Sequence, residues 1–344
     1  MGEKMKTVTF GLIGFGRWGE HHARALANVD NAELVAVTAR SQETCEKAKK
    51  AFGVRAYTDY GEMLEKEDFD VANVVVPNHL HEAATTAALN AGKHVLLEKP
   101  MAVSSEQCRS IIAAAERNKR LLYVAFEKRV SPLWLTIKKQ IDAGRIGRPL
   151  FANLDLWRFP YRSGAGGWRH DAAKIGNWML EEPIHFIDLA CWYLKGKPMD
   201  IYAKSNSIKG NHRGLNENMS LMIGFEDDAY AVVNQTIAAY GHHVNVKIVG
   251  NKGSLAAKWD GELDESMNPS FSLVHHSGST IQEIPIEGMA GEYYEIDLEI
   301  KDMVNAVITG KAEYLATPQE GKRAVDLCCL GEESARQGKV IRVN

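Results

Sequence analysis

The sequence predicts an α/β + α+β protein of two domains. An N-terminal Rossmann domain with a doubly wound parallel sheet precedes a C-terminal, mostly antiparallel open-sheet α+β domain. Two patterns predict this fold class. Strand and helix patterns alternate to about residue 125, and a glycine-rich turn joins the first pair. Apolar and polar residues then alternate in short segments, as in half-buried antiparallel strands. We expect an NAD(P)-binding domain at 1–125 and a substrate-binding and oligomerisation domain at 126–344.

The first element is a strand that ends in a candidate phosphate-binding loop. Apolar and β-branched residues at 7–13 lead into a GxGxxG segment, and a helix pattern follows at 22–29. In such a loop the glycines permit a tight turn, a close approach to a pyrophosphate and close helix packing. The free N–H groups at the helix start then face the anion. The loop consists of Gly14, Phe15, Gly16, Arg17, Trp18 and Gly19.

The end of the second strand, predicted at 33–38, decides between the two nicotinamide cofactors. NAD-specific domains place an acidic residue about 20 positions after the motif, where it binds the ribose 2′-OH. Here that position is Ala39, followed by Arg40 and Ser41. A guanidinium and a hydroxyl can bind a 2′-phosphate, so we expect NADP(H) to be preferred over NAD(H). The alternative is that Arg40 stacks on the adenine of either cofactor.

Two further strand patterns, at 70–76 and 94–97, end in polar residues. Ligands of doubly wound sheets bind outside the carboxyl ends of the strands. We therefore expect a group of residues on the nicotinamide side of the crevice, namely Pro77, Asn78, His81, Glu98 and Lys99. Helices at 82–91 and 105–118 and a strand at 121–126 complete the domain.

GxGxxG near the N-terminus and Glu98-Lys99-Pro100 after the fifth strand together resemble the glucose–fructose oxidoreductase / inositol dehydrogenase (Gfo/Idh/MocA) family over the whole chain. The resemblance implies that Lys99 contacts the substrate oxygen and takes part in proton transfer. It places Glu98 near the cofactor and implies that the Lys–Pro bond is often cis. A lysine beside a nicotinamide ring can polarise an alcohol or ketone. The alternative is a strand-end ion pair of Glu98 with a surface cation.

A second chemical segment is the apolar helix pattern that begins at Pro183. His185 and Asp188 lie on one face of this helix and, being buried, need partners. The segment resembles the family motif D-x-G-x-H-x-x-D, with Glu181 at the Asp position, Pro183 at the Gly position and His185 at the His position. The resemblance implies that Glu181 and His185 face the substrate across from Lys99. Because Glu181 and Glu182 are adjacent, which of the two faces the site stays open.

Arg129, after the last strand of the first domain, matches the arginine of the family's Asn-x-Arg-Phe pattern, and the resemblance implies that it lies close to the substrate. Aromatic and arginine residues also precede the helix that begins at Pro183. Such side chains suit a polyhydroxylated ring, and they suit a domain-interface core equally well. The candidate substrate-binding residues are Arg129, Trp157, Arg158, Tyr161, Trp168, Arg169 and Glu182. Adjacent strand residues point to opposite faces, so each His-His pair could give at most one ligand, and we expect no metal.

Strands of the second domain are predicted at 150–157, 201–205, 219–225, 230–237, 245–249, 254–259 and 272–275. Helices are predicted at 133–142, 297–309 and 318–337, and the last two are expected to pack back on the body. One sheet face would cover helices. The other would be exposed and apolar, so we expect a homodimer or homotetramer that forms through this sheet.

Composition excludes several classes of function. Charged residues make up 25%, and the net charge is -3 without a basic run, which argues against nucleic acid or an anionic membrane as partner. Five cysteines lack CxxC spacing, which favours a reducing compartment. The N-terminus MGEKMK lacks the apolar segment of a signal peptide, and there is no uncharged apolar run of about 18 residues. We therefore expect a cytoplasmic protein.

These features predict an NAD(P)-dependent dehydrogenase or reductase acting on a CH–OH group of a sugar, cyclitol or sugar derivative. Lys99 and His185 would carry the reaction, with help from Glu181. One alternative is a redox-assisted lyase or glycosidase that recycles its cofactor, and another is a non-catalytic NAD(P)-binding regulator. A reductase of imines or of aromatic dihydrodiols is a third.

Overall fold

The structure is a computed structural model that describes residues 6–208, 214–239, 241–261 and 268–343, with the side chain of residue 292 left aside. Residues 1–5, which hold most of the N-terminal segment considered above, lie outside this part. The chain forms two compact units. Unit 1 comprises Met1–Glu127 and Tyr293–Lys322, and unit 2 comprises Lys128–Glu292 and Arg323–Asn344.

Unit 1 is built on a six-stranded parallel sheet with the order β3-β2-β1-β4-β5-β6. This is the strand order of a Rossmann fold, so the predicted class of the first domain is confirmed. Apolar side chains cover both faces, because parallel sheets are packed between helices. The strands are β1 (Val8–Ile13), β2 (Ala32–Thr38), β3 (Arg55–Tyr57), β4 (Val71–Val74), β5 (His94–Glu98) and β6 (Leu122–Ala125).

The helices of this segment start and stop at identifiable residues. The side chains of Ser41, Asp59 and Ser104 accept hydrogen bonds from backbone N–H groups of the helices that follow them. Gly53 ends one helix in the left-handed conformation. These helices are α1 (Arg17–Asn28), α2 (Gln42–Phe52), α3 (Tyr60–Lys66), α4 (His81–Asn90) and α5 (Ser105–Asn118).

The first α-helices of unit 2 are α6 (Pro132–Asp142), the short α7 (Ala172–Ile175) and α8 (Pro183–Leu194). Its nine-stranded sheet has the order β14-β13-β12-β11-β7-β10-β9-β8-β15. Pairing is antiparallel except between β10 and β7, so the predicted mostly antiparallel sheet is confirmed. The strands are β7 (Pro149–Trp157), β8 (Pro198–Asn206), β9 (Asn218–Phe225), β10 (Tyr230–Thr236), β11 (His242–Gly250), β12 (Ser254–Gly261), β13 (Ser270–Ser277), β14 (Thr280–Glu283) and β15 (Ile341–Arg342).

Two long helices follow the sheet, α9 (Glu292–Thr309) and α10 (Pro318–Gln337). Ile296, Ile300 and Met303 of α9 are buried in the apolar core of unit 1. The division between the units falls within α10, at Lys322 and Arg323. Its C-terminal part belongs to unit 2, where Ser334 Oγ accepts a hydrogen bond from the backbone N–H of Ala203 in β8 (2.9 Å).

Within the described ranges, none of the helices combines the length and apolar character needed to cross a bilayer. All five cysteines are free thiols, and Cys329 alone is not fully buried.

Candidate active site

The glycine-rich loop of unit 1 has the geometry that a dinucleotide phosphate requires. Gly14 adopts a φ of 110°, and a Cβ there would lie 2.2 Å from the carbonyl oxygen of Val75. A Cβ at Gly19 would lie 1.9 Å from the carbonyl oxygen of Gly14, so α1 packs directly on the loop. At Gly16 a Cβ would meet no described atom within 4 Å, which leaves space in front of the N-terminus of α1. These residues therefore fit the diphosphate of a nicotinamide cofactor.

The end of β2 leaves Arg40 and Ser41 exposed, while Ala39 is buried. The Ser41 hydroxyl accepts a hydrogen bond from the backbone N–H of Thr44 (3.2 Å) and so caps α2. It also lies 2.9 Å from the Thr44 hydroxyl. The exposed pair of Arg40 and Ser41 at a helix start is compatible with a phosphate group, and it does not by itself choose between the two cofactors.

Glu98, at the end of β5, is held by a buried hydrogen-bond chain. Trp18 Nε1 donates to Glu98 Oε1 (3.0 Å), and His22 Nε2 lies 2.9 Å from the same oxygen. Asn73 Nδ2 donates to His22 Nδ1 (3.0 Å), which places the His22 proton on Nε2, toward Glu98. Burial alone would raise the pKa of Glu98, but His22, Lys99 and Trp18 outweigh it and lower the pKa. Glu98 is therefore an anion whose position is fixed.

A second carboxyl group of unit 1, Glu299 on α9, has the opposite environment. It is fully buried, and neither of its oxygens has a hydrogen-bond partner among the described residues. Burial raises its pKa well above 4.5, and the neighbouring carboxylates of Glu98, Glu127 and Glu295 raise it further, against the opposing charge of Lys99. Glu299 is thus a buried carboxylic acid that keeps its proton at pH values where Glu98 is ionised.

The segments after β4 and β5 are joined by His81. Its Nδ1 lies 2.6 Å from the carbonyl oxygen of Pro100, and its Nε2 lies 2.8 Å from that of Val76. The Lys99–Pro100 peptide bond is cis, as the family resemblance implied. Asn78 is buried, and Pro77 precedes a short 3₁₀ turn at Asn78–Leu80. The structure thus places the His81 ring between the segments that follow these two strands.

In unit 2, the histidine and aspartate of α8 are both buried. The Arg129 guanidinium donates two hydrogen bonds of 2.7 Å to Asp188, one to each carboxylate oxygen. Arg129 also lies over the Trp192 ring, 5.3 Å from its centroid. This bidentate pair binds the segment after β6 to the face of α8 that carries His185. The structure therefore gives Arg129, predicted to bind substrate, a role in positioning α8.

The two glutamates before α8 are each engaged with cations of unit 2. Arg169 Nε donates to Glu181 Oε2 (2.7 Å). Glu182 lies between Lys128 Nζ (3.2 Å) and Arg158 Nη1 (3.1 Å), one contact on each oxygen. Both glutamates are buried, and each has its own cationic partners, so the two adjacent carboxylates point to different surroundings.

Four residues of the predicted aromatic and arginine cluster contact one another in pairs. Arg158 lies 4.4 Å from the centroid of the Tyr161 ring, and the Tyr161 hydroxyl donates to Gln235 Oε1 (2.9 Å). Arg169 lies 4.6 Å from the centroid of Trp168. Trp157 does not join them. It is 56% exposed on the sheet face that carries Asn153 and Asp155, whereas its neighbours Leu156 and Arg158 are buried on the other side.

The sequence analysis assigned no catalytic or binding role to several residues of these clusters. They are His22, Lys128, Gln235, His242 and Glu299. Glu299 carried a usable signal, because an acidic residue between Ile296 and Met303 interrupts an apolar helical stripe.

The two histidines of the His242-His243 pair point to opposite faces of β11, as adjacent residues of a strand do. His242 is buried against the Trp259 ring (4.8 Å between centroids), while His243 Nδ1 pairs with the exposed Asp260 at 2.7 Å. Burial and the charge of Arg158 lower the pKa of His242 to about 3, with Glu182 opposing. In the described residues no group of three or more His, Cys, Asp or Glu side chains could hold a metal ion.

Each of the two units contains a region that matches a known protein family. Residues 8–126 match the family model described as oxidoreductase family, NAD-binding Rossmann fold, and residues 134–256 match the GFO/IDH/MocA C-terminal domain. Both matches agree with the resemblance drawn from the glycine-rich loop and the Glu98-Lys99-Pro100 segment.

Relatives with curated descriptions cover most of the chain. It is 31% identical over 255 residues to inositol 2-dehydrogenase 2 of Saccharopolyspora erythraea, with 73% of each chain covered. It is 28% identical over 355 residues to inositol 2-dehydrogenase of Salmonella typhimurium, with 95% of each chain covered. The crystal structure of myo-inositol 2-dehydrogenase from Lactobacillus plantarum superposes with a TM-score of 0.83 at 25% identity, covering 98% of this chain and 100% of that one.

Proposed function

The chain belongs to the Gfo/Idh/MocA family of oxidoreductases, as its motifs predicted, and from this premise we propose that it moves a hydride between a nicotinamide cofactor and a secondary alcohol or ketone of a sugar, cyclitol or sugar derivative. The fit of the Gly14–Gly19 loop to a diphosphate carries the cofactor part of this proposal. The names of the inositol dehydrogenase relatives support a polyhydroxylated substrate. The bound nicotinamide would supply the hydride donor or acceptor.

Within unit 1 we assign Lys99 to the reacting oxygen. Glu98 is fixed by Trp18 and His22, so the segment that carries Lys99 starts from a rigid strand end. A lysine ammonium can donate a hydrogen bond to the oxygen and polarise its carbon–oxygen bond. The ionised Glu98 nearby balances the charge of that ammonium. Glu98, Pro77 and Asn78 are proposed to line the nicotinamide side of the cofactor site.

Within unit 2 we assign His185 as general acid and base, because a neutral imidazole suits reversible proton transfer. The Arg129–Asp188 pair fixes the helix turn that follows His185. Glu181, held by Arg169, is proposed to bind a neighbouring substrate hydroxyl or to orient His185. Arg158, Tyr161, Trp168, Arg169 and Glu182 are proposed to form the remaining substrate surface, and the exposed Trp157 is the least supported of the predicted set.

The test is a panel of polyols and sugars, with myo-inositol first, assayed with NAD and with NADP by the absorbance of the reduced cofactor. Lys99→Met and His185→Asn should each lower kcat by roughly 10²-fold or more while cofactor binding persists. The exposed Lys66 of the same unit gives the matched control Lys66→Met, which should behave as wild type. Undiminished turnover in Lys99→Met would refute its catalytic role. Products formed without net cofactor reduction would instead indicate a redox-assisted lyase.

We infer a preference for NADP(H) from the exposed Arg40 at the end of β2 and from Ala39, where NAD-specific domains carry an acid. Arg40→Ala should weaken NADPH binding by roughly tenfold or more and NADH binding much less, because a charge-assisted bond to the 2′-phosphate is lost. Fluorescence titration with both cofactors measures this. Equal losses for the two cofactors would mean that Arg40 stacks on the adenine.

We also propose that the chain forms a homodimer or homotetramer through the sheet of unit 2. One face of this sheet exposes Met222, Tyr230 and Val249, and Phe151 packs against the Tyr230 ring there at 4.8 Å. Phe151 is paired in register with Tyr230 on one side and with Val249 on the other, so the apolar residues are contiguous. The mass of the particle in solution tests this proposal.

A further inference from the structure

His81 is bonded differently from His22 and His94, two other histidines of unit 1. It is 1% exposed at the start of α4, and both ring nitrogens face backbone carbonyl oxygens. Carbonyl oxygens can only accept hydrogen bonds. A neutral imidazole carries a single N–H, so it would leave one nitrogen lone pair pointing at a carbonyl oxygen, at 2.6 Å or at 2.8 Å.

Two histidines of the same unit show the ordinary arrangement. His94 Nδ1 accepts a hydrogen bond from the backbone N–H of Leu121 (3.0 Å), so that nitrogen is unprotonated. His22 Nδ1 accepts from the Asn73 amide (3.0 Å), and its Nε2 faces Glu98. In each of these rings one nitrogen accepts a hydrogen bond from a neighbouring donor, and a neutral imidazole has such an accepting nitrogen. For His81 the two contacts with carbonyl oxygens require two donors.

We propose that His81 is an imidazolium ion at neutral pH, which ties the segment after β4 to the Lys99–Pro100 segment after β5 and thereby positions Lys99. Its Nε2–H donates to Val76 and its Nδ1–H donates to Pro100, the residue after Lys99. His81 is therefore a positioning residue. The sequence analysis placed it on the cofactor side of the crevice, and the proposed role requires no contact with the cofactor.

Burial of a cation and its place at the positive end of α4 both oppose this ion. Two short charge-assisted hydrogen bonds to carbonyl oxygens favour it, since each is stronger than a neutral bond. The titratable residues on the two joined segments and on the first turn of α4 are His79, Glu82, Glu98 and Lys99. Of these, Glu98 is an anion with a lowered pKa, and it is the last residue of β5, the strand that precedes the Lys99–Pro100 segment.

The first test does not depend on catalysis. Nitrogen NMR of the full chain with ¹⁵N-labelled histidine, at about pH 8 and so above the ordinary histidine pKa, reports the protonation of each ring nitrogen. We expect two protonated nitrogens for His81, identified by loss of its signals in His81→Gln. His94 should show one protonated and one bare nitrogen under the same conditions. A bare nitrogen on His81 would overturn the proposal.

The second test measures positioning and rests on the function proposed above. In folded His81→Gln, kcat should fall about tenfold or more, with KM for the cofactor changed less than about threefold. The same substitution at His94, at the opposite end of β5, should leave kcat unchanged. His81→Gln should add no further loss in a Lys99→Met background if it acts through Lys99. Unchanged kcat in His81→Gln would refute positioning, whereas full activity of Lys99→Met would refute the function and leave the NMR result standing.

Discussion

Glu299 of unit 1 and the paired carboxylates of unit 2 are neutralised in opposite ways. Unit 1 buries Glu299 without a hydrogen-bond partner among the described residues, beside three further carboxyl groups, and it keeps the proton on this acid. Unit 2 instead pairs buried carboxylates with cations, as in Arg129–Asp188 and Lys128–Glu182–Arg158. There the group that gives up its charge is a base, His242, whose pKa falls to about 3 because of burial and of Arg158.

The difference teaches that these two groups, Glu299 and His242, should make the stability of the protein depend on pH with opposite signs. The pKa of Glu299 is raised on folding, so the folded state holds a proton that the unfolded chain loses above about pH 4.5, and stability decreases as the pH rises. The pKa of His242 is lowered on folding, so the unfolded chain takes up a proton below about pH 6.5 that the folded state refuses, and stability decreases as the pH falls.

The largest effect should come from breaking the pairing in unit 2. Asp188→Asn leaves the Arg129 guanidinium buried without its anion, and both residues are almost fully buried. Removal of one partner from a buried ion pair costs about 3–5 kcal/mol. Urea unfolding at constant pH measures this change in the free energy of unfolding.

The matched control is Asp142→Asn, in the same unit. Asp142 is 44% exposed in its pairs with Lys138 and Lys195, so its loss should change the free energy of unfolding by under about 1 kcal/mol. Equal effects of the two substitutions would mean that the Arg129–Asp188 pair contributes no more than a surface pair.

The next effect is a loss of stability as the pH falls below neutral. A histidine whose pKa falls from 6.5 to about 3 on folding should cost the protein about 2 kcal/mol between pH 7 and pH 5. His242→Gln should remove this part of the loss, whatever its effect on stability at pH 7. Unfolding free energies at both pH values, for wild type and variant, give the difference directly.

His243→Gln is the control for this measurement, because it makes the same substitution at the exposed neighbour on β11. It should keep the wild-type loss between the two pH values. If His242→Gln loses as much stability on acidification as His243→Gln does, then His242 is not the group that titrates.

Local patterns predicted most of the long elements, but the helices α2 and α3 and the shortest strands were missed. The helix over Ser105–Asn118 was predicted with its bounds, because a capping serine and a clear apolar period mark it. β3, β14 and β15 span two to four residues, too few to show alternation, and they were missed. α1 begins at Arg17 rather than at 22, since the glycine-rich loop hides the helix start. The parallel pairing of β10 with β7 leaves no trace in either strand.

The residues of the candidate site also differ in how far the sequence could predict them. Glu98 and Lys99 could be predicted, because charged residues at the end of a buried strand stand out locally. Their partners could not be predicted, since His22 lies 76 positions from Glu98 and only the fold brings them together. Arg129 and Asp188, 59 positions apart, were each singled out, but their mutual pairing was not foreseen.

The last effect should appear in unit 1, as the pH rises above about 4.5. Glu299→Gln keeps the shape of the neutral acid and cannot ionise. Wild type loses stability as the pH rises above about 4.5, and the variant should not show this loss. The two curves of unfolding free energy should diverge by at most about 1.4 kcal/mol per pH unit, with the variant the more stable at high pH. Glu116→Gln, on the exposed side of α5, should follow wild type throughout. Parallel curves for Glu299→Gln and wild type would show that Glu299 is ionised in the folded protein, and that unit 1 then balances its buried carboxylates with cations, as unit 2 does.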